Sequence, residues 1–216
     1  MLVEIGNKHL VIDSGPDFRQ QMLSANVQKV DAILLTHEHN DHIIGLDDVR
    51  PFNFKYQKDM PVFGGKRVLD AVRKKFEYIF EENKYPGAPM INLIEINSDP
   101  FEFEGIKVQP VDILHGQLPI HGFRIGDFAY LTDLKTISDK EAEKLKNLKT
   151  LVISALHHWE HHSHNTLAQA IEMVERLKPE KAYFIHMSHQ LGLHDEIDQQ
   201  LPPGISLAYD GLVVEM

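Results

Sequence analysis

Cysteine does not occur in this chain, so disulfides and thiolate metal ligands are excluded. A lack of disulfides fits a cytoplasmic protein. No apolar run approaches the roughly 20 residues that a membrane span needs, and the first residues read as a strand, not as a signal peptide. Net positive charge is also missing. With 22 Lys and Arg against 32 Asp and Glu, the formal charge is −10. That argues against nucleic acid and anionic membranes as partners. It leaves an anionic small-molecule substrate open, because divalent ions invert the field locally. Histidine is what the chain has in excess: 14 of 216 residues, many of them in the segments 37–42, 157–164 and 186–194.

The densest segment is Thr36-His37-Glu38-His39-Asn40-Asp41-His42, directly after the apolar strand Ala32-Ile33-Leu34-Leu35. His37, His39, Asp41 and His42 are all metal-competent. Imidazoles with a carboxylate suit zinc, manganese or iron, whereas calcium would want oxygen ligands. One ion cannot use all four and keep an open position, so two ions are the simpler arrangement. The H-E-x-x-H protease helix is excluded, because position 41 is aspartate.

Several other apolar strands end on ligand types: 106–113 runs toward His115, 128–132 ends at Asp133, and 181–185 ends at His186. Asp13 closes the strand 9–12 and reads either as a residue orienting the ligand loop or as a turn or capping aspartate. Residues 65–82 carry one apolar stripe at helical spacing, with the basic run Lys66, Arg67, Arg73, Lys74 and Lys75 as its solvated face. The spacing predicts one or two helical turns from Gly45 to Arg50 before Pro51, helices over 138–145 and 165–177 with capping boxes at Ser138/Glu141 and Thr166/Gln169, and hairpins at Gly126-Asp127 and, between strands 205–209 and 212–215, at Asp210-Gly211. Strands first, then alternating helix and strand, suit one α+β or α/β domain over 1–216.

Taken together, the 36–42 motif and the later His115, Asp133 and His186 resemble the metallo-β-lactamase superfamily. Ile12-Asp13-Ser14-Gly15-Pro16-Asp17-Phe18-Arg19, Gly122-Phe123-Arg124-Ile125, Tyr130-Leu131-Thr132-Asp133 and Ala208-Tyr209-Asp210-Gly211 resemble its phosphodiesterase branch, that of the phosphoribosyl cyclic phosphodiesterases of phosphonate degradation. The tRNA 3′-processing endonucleases are similar at a greater distance. The resemblance implies a four-layer αββα sandwich, an α+β fold, with a dinuclear zinc or manganese site. His37, His39 and His115 would hold one ion, Asp41, His42 and His186 the other, and Asp133 would bridge them. It implies a phosphoric diester hydrolase acting on a small phosphodiester or cyclic phosphate through a hydroxide bridging the ions. Asp41 would help orient that hydroxide, and His164, just before Asn165-Thr166, would protonate the leaving oxygen. A histidine titrating near neutrality suits that task.

His162 competes locally with His164, and both His162 and His189 are substrate-contact candidates. Trp159 reads as a lid, a stacking residue or core. A homodimer is compatible with this reading. The family's usual glycine-rich first strand would precede Leu2 and is not present, and a cysteine-bound structural zinc is impossible. Hydrolysis of a thioester or lactone at the same site is the alternative enzyme, and a dependence on Arg19, Arg124 or His164 would separate it from diester hydrolysis. A non-catalytic metal-binding protein is the alternative outside enzymology.

Overall fold

A computed structural model describes residues 1–215, which fold as two compact units, Met1–Asn97 and a second beginning at Ser98. In the first unit, β1 (Leu2–Ile5) and β2 (Lys8–Ile12) form a hairpin. The chain continues through α1 (Phe18–Ser24), β3 (Ala32–Leu34), α2 (Asn40–Ile43), a 3-10 segment (Ile44–Val49), α3 (Arg50–Tyr56), β4 (Met60–Gly64), α4 (Lys66–Lys75), α5 (Glu77–Phe80) and β5 (Ile91–Glu95). The sheet order is β1-β2-β3-β4-β5, with every pairing after the hairpin parallel. The β3 residues Ala32, Ile33 and Leu34 are all buried, which explains their unbroken apolar run. Ile33 faces a core built with Phe18, Met22, Val68, Val72 and Phe76 from the helices.

The one or two helical turns expected from Gly45 to Arg50 are present as the 3-10 segment Ile44–Val49. Pro51 follows in the first turn of α3, where its missing N–H costs nothing. One expectation for this unit needs correction. The single helix expected over 65–82 is broken. It ends at Phe76 (φ −116°, ψ 42°) and restarts as α5. Phe76 and Ile79 stay buried in the same core on either side of the break.

The second unit contains β6 (Phe101–Phe103), β7 (Ile106–His115), β8 (Leu118–Ile125), β9 (Phe128–Leu131), β10 (Thr136–Ile137), α6 (Asp139–Glu143), β11 (Thr150–Ser154), α7 (Leu167–Leu177), β12 (Lys181–Ile185), α8 (His194–Asp198) and β13 (Ile205–Leu207). Its sheet order is β10-β7-β8-β9-β11-β12-β13, with β6 also on β7. Strands β7, β8 and β9 are antiparallel, and β9, β11, β12 and β13 are parallel. The β8–β9 hairpin turns at Gly126 (φ 58°) as its sequence predicts. The parallel ladder directs the ends of β9, β11 and β12 the same way, so the residues following them emerge at one sheet edge.

At α7 the capping box is complete: Gln169 N–H donates to Thr166 Oγ1 at 3.1 Å, and Thr166 N–H donates to Gln169 Oε1 at 3.1 Å. At α6 only half of it forms. Glu141 N–H reaches Ser138 Oγ, but the Glu141 carboxylate turns inward and accepts from Asp112 N–H at 2.7 Å. A partly buried strand N–H is the stronger claimant on that acceptor. The strand expected over 212–215 does not form, and β13 ends at Leu207.

Candidate metal centre

The ligand loop of the first unit is organised around Asp13. At the end of β2 this residue adopts φ 59°, a left-handed conformation uncommon outside glycine. One carboxylate oxygen accepts from Thr36 N–H at 2.8 Å; the other accepts from the Thr36 hydroxyl at 2.8 Å and meets His42 Nδ1 at 2.7 Å. Of its two sequence readings, the loop-orienting one is what the structure shows; α1 is led by Asp17 instead.

This network fixes two tautomers. The single Thr36 hydroxyl proton goes to Asp13, so toward His37 Nδ1, 3.0 Å away, the oxygen accepts. His37 therefore carries its proton on Nδ1. Asp13 as a carboxylate only accepts, so His42 also carries its proton on Nδ1. Both rings present an Nε2 lone pair, the form a metal requires. His37 Nε2 converges with His39 Nδ1 at 3.0 Å, and His42 Nε2 lies 3.3 Å from Asp41 Oδ2. His37 and His42 are buried, while His39 and Asp41 are exposed.

Close backbone packing holds this loop. A Cβ on Gly15 would lie 2.4 Å from the Asp41 carbonyl oxygen, and one on Gly45 would lie 2.2 Å from the Gly15 carbonyl oxygen. Ser14 N–H donates to His42 O at 2.8 Å, and Gly45 N–H to Ser14 O at 2.9 Å. The basic face of α4 is solvated as its sequence predicts, and two of its side chains also reach the loop. Arg67 pairs with Glu38 at 2.8 Å, and the Lys75 ammonium donates to Asn40 Oδ1. Lys66 and Arg73 instead pair with Asp70 on their own helix. Nothing in local spacing foretells the Arg67 and Lys75 contacts, because their partners are about 30 positions away.

In the second unit the same edge gathers His115, Asp133, His164 and His186. Asp133 after β9 (φ 54°) and His186 after β12 (φ 60°) are again left-handed. Such conformations cost on the order of 1–3 kcal/mol each and persist where the surroundings enforce them. Asp133 Oδ2 accepts from Thr132 Oγ1 at 2.7 Å, while its Oδ1 faces His186 Nε2 at 3.0 Å and His164 Nδ1 at 3.4 Å. His115 Nδ1 lies 2.9 Å from the Ser163 carbonyl, which can only accept, so His115 too presents an Nε2 lone pair. One ligand atom each from His115, Asp133 and His164 falls within 4.8 Å of the others. That grouping gives His164 a metal-competent position that the sequence did not suggest.

His164 departs from expectation in its titration as well. Burial, reinforced by His186, His115 and His161 against the opposing pull of Asp133, holds its imidazole down at about 4. It is therefore neutral at pH 7 in this state. Burial, with His162 and His157 next, lowers His161 also.

The remaining candidates lie outside this group. His162 is exposed, its ring 4.4 Å from that of His161, and His189 is exposed. His158 Nε2 donates to Leu191 O at 2.7 Å. Trp159 is 53% exposed and stacks on His157 at 4.8 Å, which rules out the core reading. Arg124 donates to the carbonyls of Gly126, Lys144 and Lys146, so it serves the fold and is no phosphate contact, whereas Arg19 is exposed on α1.

Residues 8–187 match the family described as a beta-lactamase superfamily domain. The chain is 42% identical over 214 residues to an octanoyltransferase of Porphyromonas gingivalis, spanning 98% of this chain and 43% of that protein. It is 24% identical over 167 residues to a ribonuclease Z of Nanoarchaeum equitans, spanning 72% of this chain and 51% of that protein. The chain thus spans about half, or less, of the length of these curated relatives. Among solved structures, one described as a new diphosphatase from the PhnP family superposes with a TM-score of 0.92 at 38% identity, covering 100% of this chain and 83% of that one. The chain therefore belongs to the metallo-β-lactamase superfamily and has its fold, a mixed α+β architecture with two sheets.

Proposed function

We propose that residues 1–216 act as one metal-dependent hydrolase domain that cleaves a small phosphodiester, cyclic phosphate or diphosphate ester. The observation that carries this is the set of Nδ1 partners. His37, His42 and His115 each set Nδ1 against an oxygen that takes its proton, which assigns the lone pair to Nε2. Histidines serving only as hydrogen-bonding groups have no need of that shared pattern, whereas cation binding requires it. The donor set fits two divalent ions, zinc or manganese. His37, His39 and His115 would hold one, Asp41, His42 and His186 the other, and Asp133 would contact both. When bound, such ions neutralise phosphate charge and activate water for in-line attack. The diphosphatase name of the similar solved structure supports the phosphate-ester reading.

The chain's own residues do the rest. Asp13 holds the loop and two imidazoles in one orientation. Asp133 keeps one oxygen on Thr132 and turns the other toward His164 and His186. His164 has Nδ1 on the Asp133 side, so Nε2 is the atom that would hand a proton to the leaving oxygen. A phosphate anion beside the ring would pull its pKa up from the low value set by burial, so that a proton taken from solvent resides on Nε2 when substrate is bound.

A metal analysis and a diester assay test the proposal together. The purified protein should hold about two divalent ions per chain. Its turnover of bis-(p-nitrophenyl) phosphate should fall by about 1,000-fold in His37→Ala, with loss of metal. Activity that survives full chelation rejects the reading. The 42%-identical octanoyltransferase favours a second one, hydrolysis of an acyl thioester at the same residues, although this chain matches only 43% of that protein. Octanoyl thioester cleavage exceeding diester cleavage would select it.

A further inference from the structure

Lys135 lies two residues after Asp133, and its ammonium is enclosed by the histidine tract. The three N–H donors of a lysine meet three acceptors: the Glu160 carboxylate, the His164 carbonyl at 3.2 Å and Gln169 Oε1 at 3.2 Å. Gln169 Nε2 donates to the other Glu160 oxygen at 2.9 Å, closing a ring of contacts. Gln169 also belongs to the capping box of α7, which ties the ring to a rigid helix end. Lys135 N–H donates to Leu114 O at 2.8 Å, and Asn165 N–H to Leu134 O at 3.1 Å. The chain from 155 to 166 has no regular secondary structure. Backbone bonds hold its two ends, through Ala155, Leu156, His157 and Asn165, and the Lys135 ring of contacts ties Glu160 and His164 between them. An ordinary surface ion pair contributes little; here Glu160 is exposed, but the Lys135 side chain is only 16% exposed and its three donors meet three acceptors.

We propose that Lys135 is a positioning residue: it clamps the 155–166 loop at Glu160, His164 and Gln169 and so keeps the His164 ring against Asp133. This rests on the reading of His164 as proton donor. Displacing a reacting group by about 1 Å costs up to roughly 100-fold, so the clamp would act on the step that needs that proton and not on substrate affinity.

The chain supplies its own reporter, because its one tryptophan, Trp159, sits beside Glu160 on this loop. Lys135→Met, Lys135→Arg and Glu160→Gln would be assayed on an alkyl phosphodiester and on bis-(p-nitrophenyl) phosphate, with bound metal and Trp159 fluorescence anisotropy measured alongside. In Lys135→Met, kcat on the alkyl ester should fall about 10- to 100-fold with KM and the activated ester within about threefold. Metal content should hold, and the anisotropy should drop. Glu160→Gln should show a smaller loss, and Lys135→Arg should recover most of it. Unchanged anisotropy in Lys135→Met overturns the clamp whatever the activity does. Equal losses on both esters, or loss of metal, overturn it as well, since Lys135 would then support the ligands themselves. Failure of the proton-donor reading shows separately, as His164→Ala losses that ignore the leaving group, and that outcome removes the catalytic half of the proposal.

Discussion

Two histidine-rich stretches look alike in sequence and differ in structure. In the 36–42 loop, Asp13 and Thr36 fix the rings of His37 and His42, and both ring planes lie within one small cluster, with centroids 4.1 Å apart. In the 157–164 tract, His164 alone reaches Asp133. His157 stacks under Trp159, His158 bonds a backbone carbonyl, and His161 and His162 lie against each other at a tilt. Histidine density therefore does not define a centre. A partner that pins one ring nitrogen and so orients the other does.

The sharpest way to break this comparison is to remove the partner and keep the histidines. Asp13→Ala should weaken metal affinity about 10- to 100-fold, measured by competition with a chromophoric chelator, whereas His162→Ala should leave that affinity unchanged. Equal effects would mean that ring count matters and ring orientation does not. Next in size, Gly15→Ala sets a methyl group against the Asp41 carbonyl and should cost about 1–3 kcal/mol in denaturant unfolding. Wild-type stability would show that the packing beneath the ligand loop yields. The smallest effect concerns pH. His164 titrates near 4 when folded and at 6.5 ordinarily, so between those values the unfolded chain binds a proton that the folded one does not. The metal-free protein should lose stability as pH falls from 6.5 to 4, by about 1 kcal/mol once partial solvation of the ring is discounted. His164→Asn should flatten that slope, and an unchanged slope would assign it to other groups, His161 first.

Much of the fold was legible because its signals are local. The apolar run 32–35, the turn at Gly126-Asp127 and the Thr166/Gln169 box each state their structure within a few residues. The misses were nonlocal. Phe76 interrupts a helix that its apolar spacing presents as continuous, Glu141 leaves its cap for an N–H 29 positions away, and Arg67 and Lys75 reach back to the ligand loop.

By itself the sequence determined the chemistry available: hard and borderline ligands without thiolates, set at the ends of apolar strands, in the order of one superfamily. The tertiary structure decided which of those side chains can work. Ring tautomers, the left-handed turns at Asp13, Asp133 and His186, and the low pKa of His164 all depend on partners brought close only by folding. Hydrogen bonding and burial act over a few ångströms, and distance along the chain does not encode them.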